Sequence, residues 1–386
     1  MARSTRGESA WTQTSAWFAP LVVVVVTVIA FLPTLRAGFV SWDDDKNFLA
    51  NPHYRGLGLE QLGWMWSTFQ LGHYVPLSWM SLGADYLVWG MDPAGYHATN
   101  LLLHAANSAL VYFLARRVLL AARVGTESNS RDVVIASAIS ALAFSVHPLR
   151  VESVAWITER RDVLSLFFYL SSALLYLRSI EDNAHRDRWY WLSLAAFACA
   201  LLSKATAVTL PAILVAFNCF PLRRLGGSEH GWLDHSARNV YRELFPFVLL
   251  SAATVTVTFV ALQHLPQLDV MRKVAVSMYG IAFYTWKSVA PSKLAPLYAM
   301  PARVDPFAVR YVVSCIIVVT VSIAAWFVRR RWPMATLGWV TFLLGVFPML
   351  GFVQNGPQLV ADRYSYFAAP FLGLAVAAAL LELNRR

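Results

Sequence analysis

Phe39-Val40-Ser41-Trp42-Asp43-Asp44-Asp45, followed by Asn51-Pro52, stands just beyond the first long apolar run of the chain, Trp17 to Leu35. That run is long enough to cross a bilayer. Arg3 and Arg6 precede it, and its end, Leu35-Arg36-Ala37-Gly38, has no small-x-small cleavage site. It therefore reads as an uncleaved anchor with the N-terminus in the cytoplasm. Three consecutive carboxylates this close to a bilayer are expensive to desolvate. Either a cation or some chemistry offsets them, or they form a solvated acidic turn. The rest of the chain decides which.

Composition sets the class. Of the 386 residues, 58% are hydrophobic and only 14% charged, where a soluble domain carries roughly a quarter charged. The mean hydropathy is +0.50. This is an all-α polytopic membrane protein. The fifteen Trp and fifteen Tyr suit bilayer interfaces. The net charge of +10 is scattered between apolar runs, which excludes a nucleic-acid footprint. Cys199, Cys219 and Cys315 lie inside apolar segments with no disulfide framework or metal-ligand spacing.

Further apolar stretches follow at 98–120, 132–146, 163–178, 189–203, 206–222, 244–262, 309–328, 334–352 and 365–383. The stretch 274–290 is short, follows Arg272-Lys273 and contains Lys287, so it reads as a re-entrant or surface helix. Arg-rich loops then fall inside and both termini are cytoplasmic. The expected bundle has about ten (10–11) spans in a single domain over 1–386. The outer face is expected to hold a first loop at 36–97, a second at 147–162, the Lys204 turn, a loop at 263–308 and the loop around Asp362-Arg363. In the first, Leu59, Leu62, Met65, Trp66 and Phe69 recur at helical spacing, as a helix on the membrane surface or packed on the protein. In the second span Asn100, His104 and Asn107 share one helix face, as ligand groups or as interhelical hydrogen-bonding groups.

The outer face collects carboxylates, Arg, Lys and aromatics at headgroup depth, which suits a lipid-phosphate substrate. Arg and Lys bind phosphate by charge-assisted hydrogen bonds. A carboxylate serves as general base on an incoming hydroxyl, as in inverting glycoside chemistry. Together they describe transfer of a sugar from a lipid phosphate to a hydroxyl.

Five ordered segments carry a resemblance: Phe39-Val40-Ser41-Trp42-Asp43-Asp44 with Asn51-Pro52; Tyr96-His97 with Asn100-Leu101-Leu102-Leu103-His104; His147-Pro148-Leu149-Arg150-Val151-Glu152-Ser153 with Trp156; Leu202-Ser203-Lys204 with Thr209-Leu210-Pro211; and Ala361-Asp362-Arg363-Tyr364-Ser365-Tyr366. The sequence resembles the transmembrane-and-tetratricopeptide-repeat O-mannosyltransferase family and its bacterial relatives. The resemblance implies a GT-C glycosyltransferase fold, a polyprenyl- or dolichyl-phosphate sugar donor, mannose as the expected sugar, and a catalytic carboxylate in the first outer loop. Asp43 and Asp44 match the acidic pair, one as general base and the other orienting the acceptor or a cation, with Asp45 an adjoining helper. Because the lipid phosphate is the leaving group, no cofactor is implied and a divalent metal is not indicated. Expected partners are the lipid-linked donor, a hydroxyl acceptor and membrane lipid.

Arg161 and Arg363 are the donor-phosphate candidates, with Lys204 behind them and Tyr364 beside Arg363. For Arg161 the competing role is an ion pair with Asp162 or Glu159, and for Arg363 one with Asp362. His147 contacts phosphate or acceptor, or starts the helix at Pro148. Glu152 is a second acid or a loop partner. Arg150 stands where many relatives have a second His, and Ala205 and Asn218 stand where acidic residues are often found. The chain stops at Asn384-Arg385-Arg386 without the repeats that would engage a protein acceptor. Acceptors therefore remain open between protein and glycolipid or polysaccharide, with a non-catalytic scaffold as the other class. A bacterial inner membrane, with the active site facing the periplasm, is the expected location.

Overall fold

A computed structural model describes residues 4–122, 130–227, 230–261, 268–351 and 358–383. Arg3, Arg123 and the terminal Asn384-Arg385-Arg386 used in the topology reading lie outside the described residues, as do residues 263–267 of the expected outer loop at 263–308. The chain is built from helices α1 (Ser4–Phe31), α2 (Leu59–Ser67), α3 (Pro76–Trp89), α4 (Pro93–Ala121), α5 (Ser130–Ser145), α6 (Val151–Ala155), α7 (Arg160–Glu181), α8 (Arg186–Ser203), α9 (Leu210–Cys219), α10 (His235–Ala261), α11 (Val270–Val289), α12 (Val309–Val328), α13 (Pro333–Val346) and α14 (Ala369–Leu383). Strands β1 (Tyr298–Ala299) and β2 (Gln358–Val360) form a small antiparallel ribbon.

Among the described residues five helices are long and apolar enough to cross a membrane, or six if Arg131–Ser145 and Pro148–Ala155, bent by 55°, form one broken span. Every apolar run read from the sequence is helical, but several are short. α9 has ten residues, about 15 Å of rise, half of a ~30 Å hydrocarbon core. α1, α10 and α12 expose Ile29, Phe259, Val260, Ile316 and Phe327, the outward apolar surface that lipid demands of a spanning helix.

α4 lies at the centre, packed by α1, α5 and α7, with α8 against α7 and α14 against α5 and α13. Tyr112, Phe144, Tyr169, Phe197, Phe217, Phe247 and Phe371 fill this main core. A second core joins α11, α12 and α13 through Tyr284, Val318, Trp339 and Phe342.

The first outer segment is more structured than its sequence indicates. α2 matches the expected short helix, burying Met65 while Leu59, Trp66 and Phe69 stay exposed. The fourteen-residue α3 was not anticipated. Moreover, α4 begins at Pro93 rather than Ala98, its first turn capped by Asp92 accepting from the Ala94 N–H at 3.0 Å. Phe48, Tyr54, Met65, Val75, Trp79, Leu82, Tyr96 and Ile157 give this segment a core of its own. Polar ties then seat it on the bundle. Arg160 donates to Asp85 (2.6 Å) and Ser81 (2.8 Å) on α3, to Asn100 (2.5 Å) on α4 and to the Tyr96 carbonyl (2.9 Å). Ser78 reaches the Ser203 carbonyl at 2.9 Å. A guanidinium this deeply buried persists only with each edge hydrogen-bonded.

Candidate active site

Of the three aspartates, only Asp44 is locked in place. Its carboxylate, 1% exposed, accepts from the Val40 N–H (3.1 Å), the Thr158 N–H (3.1 Å) and the Thr158 hydroxyl (2.7 Å). Asn47 donates to that same hydroxyl at 3.1 Å. Asp44 thus pins the first outer segment onto the turn before α7. Burial pushes its carboxyl above the ordinary value, against the pull of the Thr158 and Val40 bonds.

Asp43 differs. It is half-buried, and its carboxylate has no hydrogen-bond partner among the described residues. It lies in the field of Arg161, Glu159, Lys46 and Arg363. Burial raises its carboxyl, while Arg161 draws it back down. Asp45 opens the helical turn Asp45–Leu49 and keeps one buried oxygen without a partner among the described residues.

Arg161 and Arg363, whose field reaches Asp43, converge with Lys204 on one carboxylate. Glu159, fully buried, receives Arg161 through Nη2 (2.8 Å) and Nε (3.3 Å), Lys204 (2.9 Å) and Arg363 Nε (3.2 Å). Lys204 also reaches Asp162 at 2.6 Å, and Asp162 accepts from Ser153 at 3.0 Å. Arg363 pairs through Nη1 with Glu152, whose other oxygen takes the Arg363 N–H at 2.9 Å. Its guanidinium lies over Trp156 (5.1 Å) and Tyr364 (5.0 Å). Glu152, Glu159 and Asp162 therefore balance three cations, which makes burial of the charges affordable. Arg161 spends two nitrogens, Nε and Nη2, on Glu159.

Asp43, Arg161, Lys204, Arg363, Glu152 and Tyr364 are thus brought together. The pairing of Arg161 with Glu159 is present alongside its place beside Asp43. Arg363 pairs with Glu152 and Glu159 and not with Asp362, which takes the Tyr298 hydroxyl at 3.1 Å.

His104, His147 and Arg150 serve the scaffold. His104 is fully buried in α4, its nitrogens bonded to the Tyr366 hydroxyl (2.8 Å) and the Ser145 carbonyl (2.9 Å), so it joins helices. His147 accepts from the Leu149 N–H (3.2 Å) and donates to the Ser288 carbonyl (3.2 Å), the helix-entry role. Arg150 lies buried between Phe144 and Tyr366 and donates to Ser365 at 2.7 Å. Both ring nitrogens of each histidine are spent on protein groups, the interhelical and helix-entry alternatives of the sequence reading, while Nε and Nη1 of Arg150 are buried without a partner among the described residues.

Sequence reasoning missed Glu159 as the hub and Thr158 as the anchor of Asp44. The charge cluster Glu159-Arg160-Arg161-Asp162 at the mouth of a span was a signal for the first.

The arrangement defines an integral membrane protein in which a half-buried carboxylate, Asp43, lies in the field of Arg161 and Arg363. No protein-family profile matches the chain, and no solved structure does. Curated proteins do. The chain is 35% identical over 206 residues to protein O-mannosyl-transferase Tmtc1 of Drosophila melanogaster, covering 51% of this chain and 22% of that protein. It is 30% identical over 223 residues to tmtc2 of Xenopus laevis (54% and 24%) and 30% identical over 221 residues to human TMTC4 (52% and 29%), both also named protein O-mannosyl-transferases. The match therefore spans less than a third of these relatives.

Proposed function

We propose that this chain is a membrane glycosyltransferase of the O-mannosyltransferase family that its relatives represent. In this reading it has the GT-C architecture, with about ten crossings, both termini cytoplasmic and the site on the periplasmic face of a bacterial inner membrane. It moves a sugar, mannose first among candidates, from a polyprenyl-phosphate carrier to a hydroxyl. Asp43 takes the proton of the acceptor hydroxyl as its oxygen forms the new bond to the anomeric carbon. The bond from that carbon to the carrier phosphate breaks, its electron pair leaves with the phosphate, and the configuration inverts. Arg161, Lys204 and Arg363 stabilise the negative charge on the departing phosphate. Asp44 is the positioning residue that holds Asp43 in place.

One observation supports the reading: Asp43, whose carboxylate has no hydrogen-bond partner among the described residues, lies in the field of Arg161 and Arg363, next in the chain to the buried Asp44–Thr158 clamp. The test is sugar transfer in proteoliposomes from radiolabelled polyprenyl-phosphate hexoses to water, peptides and lipid extracts. Asp43→Asn should lose about 10²-fold or more in turnover, the general-base scale, with donor binding unchanged. Wild-type protein that binds donor and transfers to none of these acceptors would make the chain a scaffold. Substantial turnover in Asp43→Asn would remove Asp43 as the base.

A further inference from the structure

Trp156 stands where the two halves of the site meet. Thr158, just beyond it, holds Asp44, while Glu152 before it and Glu159 after it hold Arg363. The Trp156 carbonyl accepts from the Glu159 N–H at 3.0 Å and from the Asn100 amide at 3.3 Å, which pins the backbone that carries the ring. The side chain lies in a residue only 8% exposed, and the Arg363 guanidinium lies over its ring at 5.1 Å.

An indole is a costly choice for this place. Its N–H is buried with no hydrogen-bond partner among the described residues, and a buried donor left unpaired destabilises a fold. The Asp44 carboxylate, already served by Val40 and Thr158, is influenced by that N–H without closing a hydrogen bond to it. A phenylalanine would fill much of the same space with no donor to satisfy. What phenylalanine supplies less well is the ring face, because indole is the strongest aromatic partner for a cation, and the contact gains when it is desolvated. Arg363 is gripped through Nη1 by Glu152 and through Nε by Glu159. A ring over the guanidinium fixes its plane without taking up a further N–H.

We propose that Trp156 is a positioning residue: its ring holds the Arg363 guanidinium in the plane in which it meets the carrier phosphate. The proposal rests on the glycosyl-transfer reading, in which Arg363 is one of the phosphate cations.

The full chain in nanodiscs would be titrated with polyprenyl phosphate, and thermal midpoints read on the same samples. Trp156→Phe removes the unpaired donor, so its midpoint should equal or exceed that of wild type while it binds the phosphate more weakly. Trp156→Leu has no ring and should weaken binding by about 2- to 30-fold, the range of one cation–π contact, with Trp156→Phe between it and wild type. In an Arg363→Gln background the same Trp156→Leu change should alter affinity by less than about twofold, because the cation it acts through has gone. A loss that persists undiminished in that background would overturn the proposal, as would unchanged affinity in Trp156→Leu. A Trp156→Phe midpoint lowered in step with its affinity would give Trp156 a purely structural role and overturn it too. Those three results leave the glycosyl-transfer reading standing. Arg363→Gln that binds as tightly as wild type would remove Arg363 from the phosphate and the proposal with it, and wild type that does not bind the probe would defeat the glycosyl-transfer reading itself.

Discussion

Replacing Asp43 and Asp44 in turn should separate chemistry from architecture, because the two neighbours are held so differently. Asp44→Ala removes three hydrogen bonds and leaves the Val40 and Thr158 N–H groups facing a void. At about 1–3 kcal/mol for each of these two groups left unpaired, the expected destabilisation is about 2–6 kcal/mol. Asp44→Asn keeps an oxygen for Thr158 and turns an NH₂ toward the Val40 N–H, a donor against a donor. It also relieves the cost of a buried charge, so the net loss should be about 1–2 kcal/mol. Asp43→Asn gives up no hydrogen bond and should stay within about 0.5 kcal/mol of wild type. Thr158→Val, which removes the hydroxyl bonded to Asp44, should follow Asp44→Asn. The assay pairs thermal unfolding in detergent with transfer turnover on the same preparations. Asp43→Asn should keep its midpoint and lose activity, whereas the Asp44 and Thr158 variants should lose midpoint first. Two results would refute the reasoning: a midpoint for Asp43→Asn as low as that of Asp44→Ala, or Asp44→Asn with the wild-type midpoint and the activity of Asp43→Asn.

Three further expectations follow from the same geometry. A general base must be ionised, so turnover should rise with pH through the Asp43 pKa; burial places that acid limb above the ordinary 3.8. Arg161 opposes the shift, so Arg161→Gln should move the limb to still higher pH, and a pH profile of kcat/KM in both proteins checks the sign. Arg160→Met strands Asp85 in the fold and should cost about 3–5 kcal/mol. Arg160→Met with Asp85→Leu should cost less than the two single changes added together, which a double-mutant cycle of unfolding midpoints measures. For topology, a cysteine placed by Ser41→Cys in a Cys-free background should label from the periplasmic side and one placed by Arg330→Cys only from the cytoplasm; the reverse pattern would invert the proposed orientation.

Hydropathy is a local property, so the membrane class and the position of nearly every bundle helix were legible in the sequence. α4, α7, α10 and α12 fall on runs that any window would find. How many runs cross was less legible, because length along the chain does not report where a helix ends. α9 stops at ten residues, and α5 with α6 bends at Val146-His147. α3 was hidden because Leu77, Trp79, Met80 and Leu82 sit in a segment whose aromatics and polar residues mimic an interfacial loop.

The sequence by itself determined that this protein lives in a membrane, that the segment after its first apolar run carries carboxylates, and that Arg161, Lys204 and Arg363 are cations near the ends of apolar runs. Only the tertiary structure decided which of them act together. Thr158 meets Asp44 across 114 residues, and Glu152 meets Arg363 across 211. Asp43 and Asp44 are identical in chemistry and adjacent in the chain. They part company because one carboxylate is closed off by donors brought from α7's entry and the other is left open to the cations. A carboxylate's role depends on the water it has lost and the charges it faces, and neither exists until the chain is folded.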